Sequence, residues 1–195
     1  KAVDGSWTDV VYLSSVAEWN SSAKEIYRGV ITRKVDSLGT YENKIQFTIP
    51  NVIDGQYYVL VRCNVDRKII EADYSDNTLV GKDSAIVSVP ILTIGAQPIK
   101  FSLDRGEQRF YKLSLAQNQN VRIIDTVSVA TLSLSNGQIP DINTNKQKGN
   151  LLISCAAEGN YYVLVTNDGL STQQQQACAL SVKEFDMEIR KVFAD

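Results

Sequence analysis

Short segments in which apolar and polar residues alternate follow one another along most of the chain, and this period of two constrains the fold more than any other feature. In residues 41–49, for example, Tyr41, Ile45 and Phe47 interleave with polar neighbours up to Pro50. Such alternation is typical of a strand with one buried face. Val, Ile and Thr number 48 of the 195 residues, and β-branched side chains favour sheet over helix. The sequence therefore predicts an all-β fold.

Ten segments carry this strand pattern, and turn sequences separate them at intervals of roughly 8–12 residues, the spacing of sandwiches and barrels. The predicted strands are residues 7–14, 41–49, 56–63, 83–89, 109–115, 121–125, 130–135, 151–155, 160–166 and 177–183. Residues 23–28 fit either a helical turn or a short strand. The pattern gives no support to a helix of comparable length elsewhere.

One heptapeptide occurs twice. The sequence from Gly55 to Val61 reads Gly-Gln-Tyr-Tyr-Val-Leu-Val, and the sequence from Gly159 to Val165 differs from it at one position. Each copy is predicted to be a central strand, apolar on both faces. Prolines bracket a connector between the copies. We therefore expect two consecutive β-sandwich domains, residues 1–90 and 99–184, with residues 91–98 as linker and residues 185–195 as the start of a following module or strand.

Composition removes several classes of function. The chain has no His, so it lacks the usual base of serine and cysteine triads and the commonest metal ligand. The net charge is −2, which leaves no cationic surplus to neutralise nucleic-acid phosphates. The longest apolar runs have five residues, whereas a membrane-spanning helix needs about 20. The sequence predicts a protein that is not an enzyme, binds no nucleic acid and does not insert into a membrane.

A set of anchor residues with characteristic spacing marks the first half. They are Trp7, Asp9, Tyr41, Pro50, Gly55, Tyr57, Val59, Glu71 and Asn77. In this arrangement the first half resembles the CARDB module, an immunoglobulin-like sandwich that recurs in large secreted and surface proteins, mainly bacterial, and is named for a proposed role in cell adhesion. The second half, through residues 101–115, 159–162 and 179–182, resembles the pre-peptidase C-terminal type of β-sandwich, and we expect it to be jelly-roll-like.

The resemblance implies that the first domain is immunoglobulin-like and incomplete. The family's module begins with two further strands, but only six residues precede Trp7 here. Trp7, Leu13, Phe47 and Val59 would then face strands from outside these residues, and leaving each uncovered would forgo about 1.5–3 kcal/mol. We therefore expect an upstream part of the chain, or a neighbouring subunit in a homo-assembly or tandem array, to supply the missing strands by strand addition.

The cysteines allow two interpretations. Cys155 and Cys178 each share an alternation face with apolar residues, so both are predicted to point inward. A disulfide between them would suit an extracellular protein. The alternative is that Cys63, Cys155 and Cys178 are all small buried hydrophobic residues.

The densest acidic segment holds the candidate calcium ligands Asp66, Asp73 and Asp76. It lacks the glycine and the spacing of an EF-hand, and no other cofactor is predicted. The family resemblance implies instead that Glu71 and Asn77 fix the hairpin, with their side chains bonding backbone groups across the turn.

Two further residues are candidates for surface roles. Asn20 opens an Asn-Ser-Ser triplet, the form of an N-glycosylation acceptor, although chance alone accounts for one such triplet. Trp19, beside it, is a candidate ligand contact. We predict a non-catalytic structural or adhesive segment of a large modular extracellular or cell-surface protein, forming filaments by strand complementation. The alternatives are an accessory carbohydrate- or protein-binding region of a secreted hydrolase and, third, an enzyme with a Lys or carboxylate base.

Overall fold

The computed structural model describes residues 2–127, 130–143, 145–168 and 174–185. Every regular element within these ranges is a β-strand, so the predicted all-β class is confirmed. It follows that the described residues contain no helix of the length and apolarity needed to span a membrane. The chain divides into two compact units, residues 1–88 and 89–195. The predicted further strand or module at residues 186–195 lies outside the described residues.

The first unit contains one antiparallel sheet. Its strands are β1 (Val3–Ser14), β2 (Lys24–Val35), β3 (Gly55–Arg62) and β4 (Thr78–Val87). They lie in the order β2-β1-β3-β4. This is the order of the C′-C-F-G sheet of an immunoglobulin-type sandwich, which a second sheet normally faces. In the described part of this unit the second sheet is not formed.

An irregular segment, residues 36–54, covers one face of this sheet instead. Leu13 of β1 lies opposite Val59 of β3, and Trp7 shares their face by alternation. We call this face the inner face. The ring of Tyr41 meets Trp7 edge to face, with centroids 5.7 Å apart. Val52 packs against Leu13, so the segment contacts both ends of the β1 portion of the face.

Two expectations about this segment are wrong. Residues 41–49 form no strand despite their alternation, because no described strand lies beside them to accept and donate backbone hydrogen bonds. Trp7 and Leu13 were expected to be covered by strands from outside these residues, but they are 5% and 3% exposed because the chain's own segment 36–54 covers them. Phe47, in contrast, remains on the surface.

The second unit is a β-sandwich of two four-stranded antiparallel sheets. Its strands are β5 (Ile99–Asp104), β6 (Gln108–Leu115), β7 (Val121–Asp125), β8 (Thr131–Asn136), β9 (Lys146–Lys148), β10 (Asn150–Ile153), β11 (Gly159–Thr166) and β12 (Gln175–Glu184). The sheets have the orders β10-β7-β12-β5 and β6-β11-β8-β9. A single core between them includes the fully buried side chains of Leu103, Val121, Leu132 and Val163.

The strand pairing of this unit is nested. β5 pairs with β12, β6 with β11, β7 with β10, and β8 with β9. A long hairpin folded over into two sheets gives this arrangement, which is that of a jelly roll. The predicted jelly-roll-like second sandwich is therefore confirmed.

The repeated heptapeptide begins β3 in the first unit and β11 in the second. In each copy the first tyrosine closes a turn. The Tyr57 hydroxyl donates to the carbonyl oxygen of Ile53 at 3.1 Å, and the Tyr161 hydroxyl donates to that of Ala157 at 3.2 Å. Such tyrosine corners occur at the start of strand F in immunoglobulin-like sandwiches. The repeat thus encodes the same tyrosine corner in both units.

Candidate functional site

The inner face of the first unit carries a buried polar clamp built from the Trp-x-Asp anchor. Trp7 and Asp9 are two residues apart on β1, so both point to this face. The hydroxyl of Tyr41 donates to Asp9 Oδ2 at 2.5 Å, while its ring packs on Trp7. Burial, followed by the bond to Asp9, raises the pKa of Tyr41 well above its usual range. The clamp therefore fastens the beginning of segment 41–50 to the sheet.

A second network lies under the connection between β3 and β4. The Asn64 side chain donates to the Ile69 carbonyl at 2.7 Å and to Glu71 Oε1 at 3.1 Å. Asn77 Nδ2 donates to Glu71 Oε2 at 2.7 Å. Glu71 and Asn77 thus bond each other, and not the backbone groups expected from the resemblance, because Asn64 makes the backbone contacts instead. The backbone N–H of Asn64 donates to Asp9 Oδ1 at 3.2 Å, which joins this network to the clamp.

Asp66, a candidate calcium ligand, is engaged by protein groups. Its carboxylate accepts bonds from the backbone N–H of Thr8 at 3.1 Å and from the Thr8 hydroxyl at 2.8 Å. Lys68 Nζ lies 3.2 Å away. Desolvation opposes ionisation, but the bonds from Thr8 and the charge of Lys68 outweigh it and hold the pKa of Asp66 at about 2. This carboxylate fixes the connection between β3 and β4 to β1.

The other two calcium candidates do not join Asp66 in a site. Asp73 accepts bonds from the backbone N–H and the hydroxyl of Ser75, each at 2.8 Å, and the bond to the backbone is the main cause of its lowered pKa. Asp76 is exposed at the rim of an open depression. Within the described ranges, no group of three or more acidic, Cys or His side chains is placed to hold a metal ion.

All three cysteines lie in the described residues, and none is in a disulfide. Cys178 is buried in the core of the second unit, as expected, but Cys155 is exposed. β10 ends at Ile153, and Cys155 lies beyond it in a turn with φ of 50°, so the alternation no longer applies. The expected inward direction of Cys155 and its pairing with Cys178 are therefore wrong.

Cys63 lies on the wall of a small cavity at the Trp7 end of the inner face. The cavity has a volume of about 170 Å³, and Trp7, Tyr41 and Glu71 also line it. Burial, followed by the charge of Asp9, raises the pKa of the Cys63 thiol. A thiol of this kind is protonated at neutral pH and is a poor nucleophile.

Trp19 lies on the opposite, outer face of the sheet, in the connection between β1 and β2. Trp19 is 44% exposed. The guanidinium of Arg62 lies over the ring at 4.0 Å from the centroid, and the ring of Tyr12 meets it edge to face at 6.4 Å. Next to it, Asn20 Oδ1 accepts bonds from the backbone N–H and the hydroxyl of Ser22 at 2.8 and 2.5 Å. This turn presents the predicted glycosylation triplet on the surface.

Segment 41–50 has few backbone hydrogen bonds and several exposed apolar side chains. Among the described residues, its backbone from 43 to 50 makes no hydrogen bond to another backbone group. Phe47 and Ile49 are 39% and 48% exposed. On the inner face, Leu79 of β4, which pairs with Val61 of β3, is 69% exposed. The segment therefore covers the β1 side of the inner face and leaves Leu79 of β4 open, whereas Val87 at the other end of β4 packs against the Leu13 and Val52 cluster.

No protein-family model matches the chain, and no curated protein matches it in sequence. Among solved structures, it is similar to PliG of Aeromonas hydrophila, a periplasmic lysozyme inhibitor of g-type lysozyme, with 19% identity and a TM-score of 0.33 over 48% of this chain and 94% of that one. It is also similar to the secreted serine protease VesC of Vibrio cholerae, with 10% identity and a TM-score of 0.38 over 93% of this chain. The chain spans 48% of the length of VesC. Both likenesses are too distant to bear on function.

Proposed function

We propose that the chain is a non-catalytic structural or adhesive segment of a modular extracellular or cell-surface protein, and that its first unit accepts an added β-strand along residues 41–50. One observation carries the proposal. A segment with the side-chain pattern of a strand lies over the inner face, its backbone from 43 to 50 bonds no other described backbone group, and Leu79 on the same face is exposed. An unpaired strand backbone is a template for strand addition.

The sheet order supports this function. In an immunoglobulin-type sandwich, the chain between strands C′ and F contributes to the sheet that faces C′-C-F-G. Segment 41–50 lies between the strands that correspond to C′ and F, and it lacks a neighbour. A strand added beside it would pair its backbone and cover the exposed parts of Phe47, Ile49 and Leu79. Burial of these parts would contribute on the order of 2–5 kcal/mol. The resemblance to CARDB is part of this proposal.

The side chains described above support a non-catalytic role. The chain has no His, and the pKa of the half-buried Cys63 thiol is raised. The carboxylates of Asp9, Asp66 and Glu71 are occupied by hydrogen bonds that hold the connections to the sheet. These carboxylates hold the connections to the sheet, and the Cys63 thiol, although it lies beside Asp9 and Tyr41, has a raised pKa and stays protonated at neutral pH.

A role in binding carbohydrate is the second candidate. Trp19 favours it, because an exposed indole can stack on a sugar ring. Arg62 already occupies one face of the indole, so one face at most is open. If Trp19 binds sugar, the chain should bind saturably to a glycan array and Trp19→Ala should remove that binding, whereas Trp19→Phe should keep part of it.

Concentration-dependent hydrogen exchange tests strand addition. Amides of residues 43–49 should exchange rapidly in the dilute monomer and become protected as sedimentation velocity shows the chain assembling with other copies. Phe47→Glu should prevent both the assembly and the protection. Ile70→Glu, at an exposed apolar residue outside the inner face, is the matched control and should change neither. If the amides of residues 43–49 exchange equally in dilute and concentrated samples, the proposed strand addition is refuted.

A further inference from the structure

We propose that the added strand is residues 185–191 of a second copy of this chain, paired antiparallel with residues 41–47 so that Met187 lies opposite Ile45. The inference rests on the proposed function, since it names the partner of the same segment. Its grounds are the acceptor backbone, which bonds no other described backbone group and has only the Arg33 guanidinium on the Glu42 carbonyl, the side-chain pattern of the donor and the complementarity of their charges.

The donor segment has the composition of a half-buried strand. It reads Phe-Asp-Met-Glu-Ile-Arg-Lys, with apolar residues at 185, 187 and 189 and charged residues between them. It follows directly on β12, which ends at Glu184, and residues 186–191 lie outside the described residues. Seven residues of strand span about 23 Å, so the donor matches the length of residues 41–47.

Charge selects one register. With Met187 opposite Ile45, Lys44 faces Glu188 and Glu42 faces Arg190. Opposite charges directly across a strand pair are favourable, and like charges are unfavourable. A shift of two residues in one direction sets Glu42 against Glu188, and a shift in the other direction sets Lys44 against Arg190. Parallel pairing that keeps Lys44 opposite Glu188 sets Glu42 against Asp186.

The same register aligns the apolar residues. Phe47 lies opposite Phe185, and Ile45 lies opposite Met187, so the apolar side chains of both segments share one side of the new strand pair. That side is the one on which Tyr41 packs against Trp7 on the inner face. The charged residues of both segments share the other side, toward solvent. One register therefore puts the apolar side chains on the buried side and the charged side chains on the solvent side, as a strand pair with a single buried face requires.

Charge reversal in the full chain tests the pairing. Lys44→Glu alone and Glu188→Lys alone should each weaken assembly about three- to tenfold in sedimentation velocity, and the double variant should restore it. Lys100→Glu, at an exposed lysine of β5 in the second unit, is the matched control and should leave assembly unchanged. If the double variant assembles no better than the single variants, residues 185–191 are not the donor in this register.

A cysteine pair tests the register and the origin of the donor. In a Cys155→Ser background, Ile45→Cys with Met187→Cys should give disulfide-linked dimers and larger oligomers under oxidised glutathione. Asn43→Cys with Met187→Cys, offset by two residues, should give far less product. Linkage within one chain would overturn assignment to a second copy. If residues 43–49 become protected on assembly but neither test responds, this inference fails while the proposed function stands. If protection never develops, both fail.

Discussion

Replacing Tyr41 with Phe tests how segment 36–54 is held on the inner face. The substitution keeps the ring that meets Trp7 edge to face and removes the hydroxyl that donates to Asp9. Asp9 is 7% exposed, so water cannot readily replace the lost donor at Oδ2. Loss of a hydrogen bond to a charged group typically costs about 1.5–3 kcal/mol. The free energy of unfolding of the first unit should fall by about that amount.

Tryptophan fluorescence reports this unit selectively, because the two tryptophans, Trp7 and Trp19, both lie in it. Urea denaturation followed at the tryptophan emission gives the free energy of unfolding of wild type and variant. Tyr27→Phe is the control, because in the described structure no hydrogen bond of the Tyr27 hydroxyl is seen. A loss below about 0.5 kcal/mol for Tyr41→Phe, or an equal loss in both variants, would contradict the clamp.

The raised pKa of Tyr41 adds a pH dependence to this prediction. A tyrosine whose pKa is higher in the folded than in the unfolded state contributes stability that is fully present below the unfolded value, 10.0, and is lost as the pH rises above it. The first unit should therefore lose stability above pH 10. Tyr41→Phe should remove most of that loss, and an unchanged alkaline slope in the variant would show that another group is responsible.

Three further outcomes are expected. The pKa of Asp66 is about 2 in the folded chain against 3.8 ordinarily, so the first unit should lose stability as the pH falls through this interval, and Asp66→Asn should flatten that loss in acid titrations of tryptophan fluorescence. Leu132→Ala should destabilise the second unit by about 2–5 kcal/mol in calorimetry and leave the tryptophan-detected transition unchanged. With a maleimide, Cys155 should react in the folded chain and Cys178 only after unfolding, and equal rates would place Cys178 outside the core.

Several strands of the second unit were predictable because burial alternates along them. In β7, for instance, Val121 and Ile123 are fully buried and Arg122 between them is exposed, so the alternation marks the core directly. The 12-residue strand β2 was predicted only as one of two alternatives at residues 23–28, because it is an edge strand with charged residues along both faces and only Ile31 buried. Periodicity reports burial, and an edge strand with little burial gives a weak signal.

The prediction of a strand at residues 41–49 was wrong for the opposite reason: the strand signal there is strong. Their alternation is clear, but a strand also needs a neighbour that pairs with its backbone, and a single sequence does not say whether one is present. The sequence likewise did not show that Asp9 is the hydrogen-bond partner of Tyr41. Asp9 was marked only as an anchor of the resemblance, since its burial depends on a contact across 32 positions of the chain. The local sequence pattern thus indicates which side chains are apolar and alternate. Whether a segment forms a strand, and which distant residue a side chain contacts, depends on long-range pairing that the pattern does not show.

Segment 41–50 is anchored on both sides of its unpaired middle. Before it, Tyr41 is clamped to Asp9 and Trp7, and after it Val52 packs against Leu13. Binding that orders a loose loop loses conformational entropy, whereas a segment already held at both ends loses less. The anchors therefore prepare the segment to receive a strand. Tyr41→Phe loosens one anchor but keeps the backbone and the charged residues of the proposed pairing. It should raise the concentration at which residues 43–49 become protected, and an unchanged concentration would show that the anchors do not prepare the segment.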